Sequence, residues 1–69
     1  MTGDEFVRKV RRLGRKTRVP VKLVAERGKG SHRTLYFGGR FTVVQSGEIA
    51  PGTLHAMLKQ LGLRVADLR

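Results

Sequence analysis

The chain has no cysteine, no tryptophan, only five acidic residues among 69, and no long apolar run. Each shortage excludes something. Without cysteine there is neither a disulfide framework nor a thiolate metal site. No stretch approaches the roughly 20 apolar residues of a membrane helix, and the opening MTGDEF carries no signal-peptide hydrophobic region. A soluble, cytoplasmic protein that does not engage membranes is therefore expected. The few carboxylates are scattered, and no His, Asp and Glu cluster has metal-ligand spacing, so neither a metal nor a cofactor is expected. The glycine-rich GKGS lacks the spacing of a P-loop. Sixty-nine residues make one domain, residues 1–69, and a chain this short buries only about 60% of its unfolded surface.

What is present is positive charge. Fifteen Lys and Arg against five Asp and Glu give +10 at pH 7, and twelve of the fifteen fall between positions 8 and 40. Such a surplus on a small surface favours a polyanionic partner, with nucleic acid first and an acidic protein second.

Thr2-Gly3-Asp4-Glu5 has the form of a capping box, and Phe6, Val10 and Leu13 follow at helical spacing. A first helix is expected to end between residues 13 and 17, with Gly14 as a weak stop. Arg8, Arg11, Arg12 and Arg15 share its other face, where they repel one another and suit phosphate or an acidic partner. In VPVKLVAER (residues 19–27), Val19, Val21, Leu23 and Ala25 alternate with Pro20, Lys22, Val24 and Glu26, as in a strand. After RGKG, the runs SHRTLYF and RFTVVQS flank Gly38-Gly39, which reads as a two-residue hairpin loop with positive φ at both glycines. Pro51 fits a helix start, Leu54, Met57, Leu58 and Leu61 form its stripe, and Gly62 fits its end. LRVADLR adds at most one more helical turn. The expected fold is α+β in the order α-β-β-β-α, a three-stranded antiparallel meander with both helices on one face.

That hairpin pairs Tyr36 with Phe41 and Phe37 with Arg40. His32, Thr34, Tyr36, Phe41 and Val43 then share one face, and Arg33, Leu35, Phe37, Thr42 and Val44 the other. Both carry apolar residues, so the pattern leaves the buried face open. The expectation taken forward is a core of Leu35, Phe37 and Val44, with His32, Tyr36 and Phe41 facing out. An exposed aromatic patch of that kind suits base stacking or a partner interface. Histidine titrates near neutral pH and suits general acid–base work. Lys29, Arg33 and Arg40 are candidates to attract phosphate beside His32, Gly30 to admit it close to the backbone, and Ser31 to hydrogen-bond it. His55 reads as a helix-surface residue.

GKGSH, the strand after it, RFTVV and the closing EIAPGTLHAMLKQLGL together resemble the HicA family of type II toxin–antitoxin mRNA interferases. The resemblance spans about residues 4 to 63. It implies a double-stranded-RNA-binding-domain-like fold, a metal-independent endoribonuclease acting on mRNA, His32 of the G-S-H motif as the catalytic residue, and a HicB-type antitoxin as partner. Two features depart from the family pattern: a longer, more basic insert between Gly14 and Gly30, and FGGR where the family often has H-P-D-G. The alternative is a non-catalytic basic RNA-binding module on the same fold, gripping phosphates through the arginine face.

Overall fold

The computed structural model describes residues 1–25 and 32–69, so the expected RGKG turn, with Lys29, Gly30 and Ser31, lies outside the described residues. The elements run α1 (Gly3–Thr17), β1 (Val21–Ala25), β2 (Arg33–Phe37), β3 (Arg40–Val44) and α2 (Pro51–Leu61), closed by a 3-10 turn at Val65–Leu68. The sheet order is β1-β2-β3, both pairings are antiparallel, and the fold is α+β as expected. Among the described residues, no helix is long and apolar enough to cross a membrane.

Helix α1 starts where the capping box requires. The Glu5 backbone N–H donates to Thr2 Oγ1 at 3.2 Å, and the Thr2 N–H donates back to Glu5 Oε1 at 3.2 Å. The Thr2 N–H first, and second the Thr2 hydroxyl, which also donates to Glu5 Oε1 at 3.2 Å, hold the Glu5 carboxyl below the usual carboxylate range. The helix runs through Gly14 and stops four residues later, at Arg18, whose φ of 59° is left-handed. Gly14 is instead a point of close approach. A Cβ there would stand 2.4 Å from Val21 Cγ2 and 2.8 Å from the Val19 carbonyl oxygen. The chain leaving α1 doubles back beneath it, and only a missing side chain permits that.

The strands are shorter than the apolar runs suggest, and the hairpin register is the expected one: Tyr36 faces Phe41 and Phe37 faces Arg40. One detail differs. Of the two loop glycines only Gly38 has positive φ, at 61°, the pattern of a type II′ rather than a type I′ turn. Helix α2 begins with Pro51 and ends at a left-handed Gly62, φ 72°.

The open choice of face is resolved by packing. Leu35 and Val44 are fully buried with Phe6, Val10, Leu58 and Leu61, and Phe37 packs against this cluster. Helix α1 lies over β1 and β2, and α2 over β3. Leu68 of the last turn is buried too, with that turn against α1. Thr42 is the polar member of this inner face, and its hydroxyl donates to Gln60 Oε1 of α2. Each buried Leu, Val or Phe contributes about 1.5–3 kcal/mol. An exposed ion pair contributes about 1 kcal/mol at most, so the inner face sets the fold.

Two outcomes follow. Gly→Ala inside a helix normally stabilises by up to about 1 kcal/mol. Gly14→Ala is expected to do the reverse and destabilise by about 1–3 kcal/mol, because Val21 and the Val19 carbonyl must move; urea denaturation gives the sign. Glu5, with its folded pKa depressed, contributes stability above its unfolded pKa of about 4.3 that is lost as pH falls through the folded value. Glu5→Gln keeps the capping geometry, so it is expected to flatten this acid limb in a stability–pH series.

Candidate nucleic-acid interface

Strand β2 has a neighbour on each side, and its side chains alternate between the inner and outer sides of the sheet; on the outer side Thr34 is buried and Tyr36 exposed. Leu35 and Phe37 go inward. Tyr36 goes outward, 40% exposed. Among the described residues no helix packs on the outer face, which the registers lay out in rows. Lys22, Tyr36 and Phe41 form one row across the three strands, and Val24, Thr34 and Val43 the next. Phe41 is 58% exposed, and its ring centroid lies 5.8 Å from that of Tyr36 with the planes tilted by 43°. Lys22 is exposed.

His32 immediately precedes β2 and is half-buried. The alternation of the strand puts it on the side of Thr34 and Tyr36, about 13 Å along the strand from Tyr36. Its chain neighbour Arg33 takes the opposite side. Arg33 is turned toward the helices, half-buried, with Nη2 donating to Asp4 Oδ1 of α1 at 3.0 Å. Arg40 pairs with Phe37 at the far end of the hairpin, about 16 Å along β2 from His32, and its side chain runs beside Gly62 at the end of α2. The expected grouping of Arg33 and Arg40 with His32 is therefore not formed. Arg33 is diverted by the period of the strand, and Arg40 by its length. His55 is exposed on α2, as expected of a surface residue. Among the described residues, no group of three or more His, Cys, Asp or Glu stands together in a metal-ligating arrangement.

The arginines of α1 are all exposed. Helix periodicity turns Arg8, Arg11, Arg12 and Arg15 away from Phe6, Val10 and Leu13, so the stripe lies on the reverse of the domain from the outer sheet face. Three of the four also line shallow grooves where α1 overhangs β1. One groove, of about 410 Å³, is walled by Arg8, Arg11, Arg15 and Arg33 over Val7 and Leu23, with Asp4 at its end. The next holds Arg11, Arg15 and Arg18 over Val19 and Val21. Arg12 lines neither groove. Arg18 and Lys22 are additions that sequence reasoning missed. Arg18 gains its place from the left-handed helix end, and Lys22 from a β1–β2 register that the sequence does not specify.

The domain thus carries two candidate polyanion surfaces, back to back: a stripe and groove of guanidinium groups, and an open sheet with two aromatic rings, one lysine and one histidine. Comparison with known proteins returns no match to this chain, whether to a protein family, a curated protein or a solved structure.

The stripe makes a prediction that needs no ligand. Four like-charged pairs at i,i+3 or i,i+4 destabilise a helix by about 0.2–0.5 kcal/mol each, or about 1–2 kcal/mol in all, and salt screens them. Urea midpoints are expected to rise with sodium chloride, and the rise to shrink in a variant with Arg11 and Arg12 replaced by Gln. A salt-independent midpoint would count against mutual repulsion within the stripe.

Proposed function

We propose that this protein is an endoribonuclease toxin of the HicA type, cleaving mRNA in the cytoplasm with His32 as general base and held in check by a HicB-type antitoxin. The observation that carries the reading is the G-S-H motif, whose histidine stands half-buried at the start of β2, at the end of the open sheet face. The order α-β-β-β-α agrees with the fold that the resemblance implies, and the +10 charge suits an RNA substrate.

In this reaction His32 accepts the proton of a ribose 2′-hydroxyl. The 2′-oxygen attacks phosphorus, the bond to the 5′-oxygen of the next nucleotide breaks, and that oxygen takes a proton from water, whose hydroxide is neutralised by the proton His32 had accepted. The products are a 2′,3′-cyclic phosphate and a 5′-hydroxyl. One positioned acid–base group supplies about 10²–10⁴-fold, which suits a slow enzyme acting on abundant mRNA. Lys29, Gly30 and Ser31 belong to the motif segment and are proposed to hold the phosphate. Arg33, engaged with Asp4 on the other side of the sheet, drops out of that role.

A second reading, a non-catalytic RNA-binding module, draws on the arginine stripe, which lies away from His32. The two separate in one experiment. His32→Ala expressed beside the wild type is expected to abolish growth arrest and the appearance of new mRNA ends, with RNA affinity retained. Equal toxicity of the two proteins, or no cleavage by either, leaves the binding module as the better account.

A further inference from the structure

We propose that the outer sheet face is a stacking platform for the bases of single-stranded RNA, seated on Tyr36 and Phe41 with Lys22 beside them. As a description of the substrate path to His32 it rests on the nuclease reading; as a binding site it stands without it.

The chain divides its few aromatic residues between two settings. It has four, and Phe6 and Phe37 belong to the core. The other two stand side by side in solvent on adjacent strands, in a register that brings them together. Among the described residues five large apolar side chains are exposed, and four of them, Val24, Tyr36, Phe41 and Val43, are on this one face. A domain short of core material thus leaves its apolar surplus in water at one place, which marks a binding surface. The two rings are tilted by 43° rather than stacked in parallel, and Tyr36 stays 40% and Phe41 58% exposed.

The occupant follows from charge and shape. Lys22, the partner of Tyr36 on β1, sets an ammonium group at the rim of the rings, where a backbone phosphate of a stacked strand runs. A second copy of this chain is disfavoured there, because each copy carries +10. Base faces are hidden inside a duplex and open in a single strand, so two exposed rings side by side select the single strand. About 13 Å separates Tyr36 from His32 along β2, so a base on the platform and a phosphate at His32 belong to one short run of nucleotides.

The composition supplies the probe. Tyr36 is the sole tyrosine and there is no tryptophan, so the intrinsic emission of the whole protein reports on this one site. The titrant is a 2′-O-methyl pyrimidine decamer, which lacks the attacking hydroxyl, with the same strand annealed to its complement as the comparison. The single strand is expected to quench Tyr36, and the duplex to quench it little. Phe41→Ala, at an exposed position, is expected to weaken single-strand affinity between about five- and a hundred-fold. His55→Ala, at an exposed position of α2, is expected to leave both the quench and the affinity unchanged. Equal quenching by the duplex, no quenching at all, or unaltered affinity in Phe41→Ala would overturn the platform. Emission that varied with protein concentration alone would overturn it in favour of a second copy. If neither the wild type nor His32→Ala cleaves RNA while single-strand quenching persists, the nuclease assignment fails and the platform stands; if both cleave alike, only the role of His32 falls.

Discussion

The structure hangs on the register of its middle strand. β2 is paired on both sides, and its alternation sends Leu35 and Phe37 into the helices while Tyr36 goes to solvent. A slip of one residue would carry Leu35 into water and Tyr36 into the core, and would exchange the sides of His32 and Arg33. The buried inner face holds the register because each of its side chains is worth more than any surface interaction nearby. The Gly38 turn fixes it from one end, and the bond from Thr42 to Gln60 ties β3 to α2. The placement of every candidate functional residue on the sheet follows from that one alignment.

Charge divides the molecule along different lines from packing. The basic residues gather on α1 and along the β1 side, whereas residues 41–63 carry only Glu48 and Lys59 as fixed charges. Arg33 is the one basic side chain of the central strand, and it is drawn toward α1 by Asp4. A polyanion approaching from a distance is therefore drawn to the α1 side, while the aromatic sheet acts only at contact. On the proposed reading, attraction and recognition fall to separate surfaces.

The local features were legible in the sequence because their causes are local. The Thr2–Glu5 capping box, the Gly38-Gly39 loop with its pairing, and the Pro51 start and Gly62 end of α2 each depend on residues within a few positions of one another. What was not legible depends on remote partners. Gly14 reads as a helix stop until Val21 is seen beneath it. Arg33 reads as a phosphate ligand beside His32 until Asp4, 29 residues earlier, is seen to hold it on the other side. The buried face of the hairpin stayed open because Tyr36, Phe41 and Val43 are as apolar as a core and remain exposed. At a binding surface, hydrophobic pattern no longer separates inside from outside.

The docking of the Val65–Leu68 turn on α1 bears on how the chain folds. Leu68, near one end of the described chain, is buried in the cluster that Phe6 begins at the other. The helices and the hairpin can form from neighbours in sequence, but the cluster closes only when segments some sixty positions apart meet. Topologies that wait on such distant encounters fold more slowly than their small size suggests, since loop closure must precede the contacts that reward it. The +10 charge that every copy carries disfavours association of chains whose apolar strands are not yet covered.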